Sequence, residues 1–241
     1  MSEPTVPTIQ VHPDAATVAE QAALRVAELL GAAIELSGKA SLCLAGGSTP
    51  KVMYERFATG DPAVDWSKVH VFFGDERTVP PDHADSNYRM AKHAFLDAVG
   101  LPESNVHRMR GEADPAEAAD EYDALLREHF GNDAGIDVML LGMGDDGHTA
   151  SLFPHTTALD VTDRLCVANR VDKLDTTRLT LTVPFINRSR QTMVIITGAN
   201  KTETVDRVLT GEVDPREHPV RLINPPAGTY QFILDTAAAG M

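Results

Sequence analysis

Three things are scarce in this sequence: aromatic rings, cysteine and positive charge. Only 5% of the 241 residues are aromatic while 43% are hydrophobic, so the core must be aliphatic, and the balance suits one globular domain over 1–241 rather than a repeat array or a disordered chain. Two cysteines, Cys43 and Cys166, lie in apolar or β-prone runs, which argues for buried structural thiols and against a disulfide. Lys and Arg number 21 against 35 Asp and Glu, a formal charge of -14, so nucleic acid and anionic membranes are not expected partners. Long apolar runs are missing too: none approaches the roughly 18 residues of a membrane span. The opening run Met1 to Asp14 holds Glu3 and three prolines without a basic or long apolar stretch, unlike a signal or transit peptide. A soluble, cytoplasmic protein is expected. In so acidic a chain a phosphate ligand needs cations and backbone amides gathered locally, which makes any Arg or Lys beside a glycine loop informative.

What is present is organised by periodicity. Val18, Ala22, Val26, Leu29, Leu30 and Ala33 recur at helical spacing, and Gly38 ends that helix ahead of Leu42-Cys43-Leu44-Ala45, a short buried-type strand. The strand enters Gly46-Gly47-Ser48-Thr49-Pro50 and a further helix, for which Thr49 suits the N-cap and Pro50 the first turn. Val69 to Phe73 is a second such strand, ending in Gly74-Asp75-Glu76-Arg77. After a proline-rich loop a helix starts near Asp85-Ser86, with Tyr88, Ala91, Phe95 and Ala98 on one face. Asp114-Pro115 caps the next, where Tyr122, Leu125, Leu126, His129 and Phe130 share a face. Val138 to Leu141 is the third strand; Leu179 to Val183, Met193 to Thr197 and Gln231 to Leu234 read as more. Strands alternating with helices predict an α/β fold of βαβ units with a mainly parallel sheet in three layers. Ligands of such sheets bind outside the carboxyl ends of the strands, where three loops here are rich in glycine and polar residues.

The first loop offers Gly46 and Gly47 for close backbone approach, the Ser48 and Thr49 hydroxyls, and the free amides of a helix N-terminus, which together suit an anion. It lacks the Lys-Ser/Thr pair of a nucleoside triphosphate loop. The same residues also suit an ordinary strand-to-helix turn. In the third loop Gly142, Gly144 and Gly147 match a dinucleotide pattern, but Asp145 and Asp146 would sit where a pyrophosphate should lie, and that pattern has no role for His148. A histidine can both take and give a proton near neutral pH, and Asp146 is close enough in sequence to orient the His148 ring. Asp75, Glu76 and Arg77 place a carboxylate and a guanidinium at the end of the second strand, as an ion-pair cluster would also do. Arg178 and Lys201 add cations at element ends. Asp145, Asp146, His148 and His155 cluster without the spacing of a catalytic zinc site, so no metal is expected.

Together these pieces resemble the 6-phosphogluconolactonase family through Gly46 to Pro50, Asp75-Glu76-Arg77 with Val79-Pro80 and Ser86-Asn87, Gly142 to Pro154 (GMGDDGHTASLFP), Arg178 to Thr182, and Gly198 to Lys201. The resemblance runs from Leu44 to Lys201, and the long motif around His148 is its most specific part. It implies a Rossmann-like sheet and the cofactor-free hydrolysis of 6-phospho-D-glucono-1,5-lactone in the pentose phosphate pathway. The related glucosamine-6-phosphate isomerase/deaminases carry a glutamate at the position of Phe153. An apolar residue there favours hydrolysis over ring-opening isomerisation. His155 stands where that pattern leads one to expect glycine.

The implied chemistry makes His148 the base that takes a proton from water and returns one to the leaving ring oxygen, with Asp146 or Asp75 favouring the imidazolium. Backbone amides of Gly46, Gly47 or the His148 loop would hold the oxyanion. Ser48, Thr49, Arg77, Arg178 and Lys201 would share the phosphate and substrate-orienting contacts. The expected partner is the small-molecule lactone alone, met by a monomer or small homo-oligomer. An amino-sugar-phosphate isomerase or deaminase is the rival enzyme. A non-catalytic sugar-phosphate sensor would need a partner-binding segment for which this chain offers no obvious candidate.

Overall fold

Short buried runs make the central sheet, and capping residues decide where the chain leaves it. The computed structural model describes residues 7–211 and 214–241; residues 1–6, part of the opening run read above for targeting features, lie outside them. The order is β1 (Thr8–His12), α1 (Ala15–Ser37), β2 (Ala40–Leu44), α2 (Ser48–Ala58), β3 (Val69–Phe73), β4 (Asp75–Arg77), α3 (Asn87–Ala91), α4 (Pro115–Phe130), β5 (Val138–Leu141), β6 (Cys166–Val171), β7 (Thr176–Leu181), α5 (Val183–Ile186), β8 (Gln191–Ile196), α6 (Thr202–Thr210) and β9 (Thr229–Asp235). Asp14 opens α1 by accepting the Thr17 amide at 2.8 Å, and Gly38, at φ 78°, closes it with its own N–H on the Ile34 carbonyl.

Six strands pair in parallel in the order β1-β9-β8-β5-β2-β3. Their side chains alternate between the two faces, and the core divides accordingly. Leu42, Leu44, Val138, Leu140, Met193 and Ile195 pack with Val18, Ala22, Val26, Met53 and Phe57 of α1 and α2. Cys43, Met139, Leu141, Val194 and Ile196 pack with Tyr122 and Leu126 of α4 and Val205 and Val208 of α6. Helices therefore cover both faces, the three layers that the alternation of elements predicts. Both cysteines are buried and free, and burial pushes both thiols up, as befits packing residues.

The structure departs from the sequence reading in four places. The run around Leu179 joins a second, antiparallel sheet of order β4-β7-β6 instead of the parallel one. Residues 172–175 link β6 to β7, and so short a link joins only antiparallel neighbours. Asp75 to Arg77, read as a loop, is the outer strand of that sheet. The cap of α2 is Gly47, at φ 104°, so Thr49 falls within the first turn and its hydroxyl reaches Thr197 Oγ1 at 2.8 Å. Ser86 caps α3 as expected, but from Lys92 to Leu96 the helix widens into a π turn closed by Asp97 N–H on the Lys92 carbonyl. The extra residue per turn buries Ala94, Phe95 and Leu96 together and leaves Ala98 exposed.

Glu76 ties the second sheet to α3. Its carboxylate, 2% exposed, accepts from the amides of Arg77, Asn87 and Tyr88 at 2.7 to 2.8 Å and from the Ser86 hydroxyl at 3.0 Å. Burial raises its pKa while those amides oppose the rise. Glu76→Gln turns an NH₂ group toward buried donors, so the variant should lose about 1–3 kcal/mol of stability in a denaturant titration. An unchanged midpoint would show that the clamp contributes nothing.

Candidate functional site

The chain lays β3 on one side of β2 and β5 on the other, so the loops leaving β2 and β5 face each other at a topological switch point. Between them lies a cavity of about 440 Å³. Of the residues singled out from the sequence, Gly46, Gly47, Ser48, Thr49, Asp75, Arg77, His148, Arg178 and Lys201 all line it. Asp146 does not, because it stands behind His148.

The loop after β5 is built to hold one imidazole. Gly144 and Gly147 close a turn through Gly147 N–H on the Gly144 carbonyl at 3.0 Å, and Gly144 N–H returns to the His148 carbonyl at 2.9 Å. Asp146 Oδ1 accepts the His148 amide at 3.2 Å and lies 2.6 Å from His148 Nδ1. A carboxylate only accepts, so Nδ1 carries the hydrogen and Nε2 is left with the lone pair. A Cβ on Gly144 would stand 2.1 Å from the imidazole, which is why this position has no side chain. The Phe153 ring stacks on the imidazole, its centroid 4.1 Å from that of His148 at 25°. Burial tends to raise the Asp146 carboxyl, but the hydrogen bonds from His148 and Lys173 outweigh it and hold the group well below the usual carboxylate range. Asp146 therefore stays ionised behind the ring.

Asp75 is turned elsewhere. Its Oδ2 accepts from Ser151 Oγ at 2.6 Å and its Oδ1 from Asn87 Nδ2 at 3.1 Å. Of the two aspartates, it is Asp146 that touches the ring.

The cations differ in their commitments. Arg77 and Arg178 are directly opposite each other across β4 and β7, and both line the cavity. The Arg77 guanidinium donates to the Asp85 carbonyl. Arg178 makes no side-chain hydrogen bond or ion pair among the described residues, and burial together with Arg77 beside it lowers its pKa. Two like charges side by side in a part-buried cleft repel, an arrangement an anion would relieve. Lys201 instead pairs with Asp145, which also accepts from Asn200 at 3.0 Å. Ser48 and Thr49 bring the amides of the α2 N-terminus to the same cavity, while Pro50 has none to offer.

Sequence reasoning missed Lys173. It comes from the β6–β7 hairpin, pairs with Asp146, and stands 5.3 Å over the Phe153 ring. No local pattern marks it, since the contact joins positions far apart in the chain. His155 sits at φ 58°, the left-handed region, which explains why glycine suits this position. Its Nε2 lies 3.0 Å from Glu217 Oε1, both side chains being exposed. His155→Gly should therefore gain up to about 1 kcal/mol in thermal or chemical denaturation, relieved strain exceeding a weak surface pair. A loss would mean that the Glu217 contact matters more.

Sheet order, switch-point cavity and histidine loop define an α/β protein whose cleft sets two arginines and a helix N-terminus beside a carboxylate-held imidazole. The chain belongs to the family described as glucosamine-6-phosphate isomerases/6-phosphogluconolactonase, which residues 13–232 match. It is 43% identical over 237 residues to the 6-phosphogluconolactonase of Synechocystis sp., covering 96% of this chain and 97% of that one. With the 6-phosphogluconolactonase of Mycobacterium tuberculosis the identity is 35% over 217 residues, covering 86% and 87%. The solved structure of 6-phosphogluconolactonase from Trypanosoma brucei superposes with a TM-score of 0.88 at 29% identity, over 98% of both chains. A monomeric glucosamine-6-phosphate deaminase shares the fold, with a TM-score of 0.82 at 19% identity.

Proposed function

We propose that this chain hydrolyses 6-phospho-D-glucono-1,5-lactone to 6-phosphogluconate in the oxidative branch of the pentose phosphate pathway. The names of its relatives support the reading. The observation that carries it is the His148 ring, held through Nδ1 by an ionised Asp146 with Nε2 free, and flanked by Phe153 where the deaminases have a carboxylate. In the proposed reaction a water oxygen attacks the lactone carbonyl while Nε2 takes the water proton. The tetrahedral oxyanion rests on the backbone amides of the glycine loops. It collapses as the bond from the carbonyl carbon to the ring oxygen breaks, and that oxygen receives the proton from the imidazolium. Arg77 and Arg178 receive the phosphate, with the Ser48 and Thr49 amides and hydroxyls near it. Lys201 reaches the substrate once it leaves Asp145. Asp75, fixed by Ser151 and Asn87, meets a sugar hydroxyl.

Freshly generated lactone, followed against a no-enzyme blank, tests the proposal. Turnover above the spontaneous rate supports it, whereas a rate equal to the blank, or ammonia released from glucosamine 6-phosphate, would favour the deaminase reading. Asp146→Asn removes the charge that stabilises the imidazolium and is expected to lower kcat by roughly 10²-fold with KM little changed. We place this work in one α/β domain, free of cofactor, in the cytoplasm and in a monomer or small homo-oligomer. Among the described residues no helix is long and apolar enough to cross a membrane.

A further inference from the structure

A second cluster of chemically active side chains lies on the edge of the parallel sheet, and none of its members lines the lactone cavity. β3 is the outermost strand on that side, and His70 shares a face of it with Phe72. Val106 bridges Val71 in parallel just beyond that edge, and the His107 amide donates to the Val71 carbonyl at 2.8 Å. The Tyr122 hydroxyl fixes this segment by donating to the His107 carbonyl at 3.0 Å while accepting the Phe73 amide at 2.9 Å. The third histidine, His129, comes from the last turn of α4. The three rings pack together: His107 lies nearly in plane with His70 at 9° and stacks on Phe72 at 20°, and His129 meets His107 edge-on with centroids 4.4 Å apart.

One ring nitrogen from each histidine lies within 4.8 Å of the other two. His70 Nδ1 and His107 Nε2 face each other 3.1 Å apart, and a turn of each ring away from that line would aim both at a tetrahedral zinc ion, on which two imidazole nitrogens stand roughly 3.3 Å apart with bonds of about 2.0–2.1 Å. His129 Nδ1 lies 3.1 Å from the Leu125 carbonyl, so that nitrogen carries the hydrogen and Nε2 offers its lone pair. Metal-binding histidines commonly donate the hydrogen of their remote nitrogen to a backbone carbonyl in this way. His129 is exposed, so water can take a fourth position.

We propose that His70 Nδ1, His107 Nε2 and His129 Nε2 form a binding site for a divalent transition metal, Zn²⁺ above all, joining the sheet edge, the segment at His107 and the end of α4. The hydrogen now shared between His70 and His107 moves to the outer nitrogen of its ring, so both inner nitrogens turn lone pairs to the ion. Three imidazoles without a carboxylate select zinc, copper or nickel over the oxygen-seeking Mg²⁺ and Ca²⁺. The site is a staple between elements and takes no part in hydrolysis.

The test uses the full chain without a histidine tag, stripped with chelator and titrated with Zn²⁺ against a chromophoric competitor at neutral pH. One equivalent should bind, raise the Tm, and be replaceable by Co²⁺ with the intense visible bands of a four-coordinate ion. His129→Ala removes an exposed ligand and should weaken binding by at least the roughly 10–100-fold that losing a ligand's hydrogen-bond partner costs, with lactone hydrolysis unchanged. His70→Gln should do the same from within the strand. Absence of stoichiometric binding, or binding kept in both variants and lost in His148→Ala, overturns the proposal.

Discussion

His148→Ala is expected to lower kcat for lactone hydrolysis by roughly 10²–10⁴-fold while KM stays close to that of the parent chain. The prediction follows from how little the ring does for the rest of the fold. Its polar contacts are with Asp146 and the turn at Gly144, and its stacking partner Phe153 is itself buried, 6% exposed. Removing the imidazole leaves the arginines and the α2 N-terminus in place, so substrate should still bind. What is lost is the group that carries the proton from water to the ring oxygen. The measurement is steady-state kinetics on fresh lactone, corrected for spontaneous opening, beside a thermal melt. If KM rose and kcat held, His148 would be a binding residue and the base would have to be sought elsewhere.

Arg178→Ala is expected to do the reverse, raising KM by about 10–100-fold with kcat at saturation little changed, the equivalent of one charge-assisted hydrogen-bonded contact. Arg178 lies part-buried opposite Arg77, with its guanidinium free of side-chain partners among the described residues. In the unliganded protein that pairing is repulsive, so the variant should be no less stable than the parent. A phosphate between the two guanidiniums turns the repulsion into two attractions. Inhibition by inorganic phosphate should weaken in parallel with KM, and the unphosphorylated lactone should be nearly indifferent to the change. Equal losses on both lactones would move Arg178 from phosphate recognition to the sugar or to the oxyanion.

Much of the site was legible along the chain because its parts are local. Gly142 to His148 is a contiguous turn in which Gly144 leaves room for the ring, and Asp146 reaches His148 within the same turn. Ser48 and Thr49 follow a buried strand directly. Other parts are invisible in one dimension. Lys173 reaches Asp146 from a different hairpin, and Asp75 is aimed by Ser151 from the histidine loop and Asn87 from α3. The opposition of Arg77 and Arg178 exists only because β4 and β7 pair in that register.

The parallel sheet, the glycine-rich loops at its carboxyl ends, the histidine loop and the family resemblance could all be read along the chain, because burial periodicity and contiguous turns are written in neighbouring residues. It took the packed fold to show that the Leu179 run joins an antiparallel sheet, that Asp146 and not Asp75 holds the imidazole, and that His70, His107 and His129 meet at the sheet edge. Those outcomes depend on which segments pack side by side. That is fixed by strand pairing and by helices closing over the core, at sequence separations where no local pattern records it.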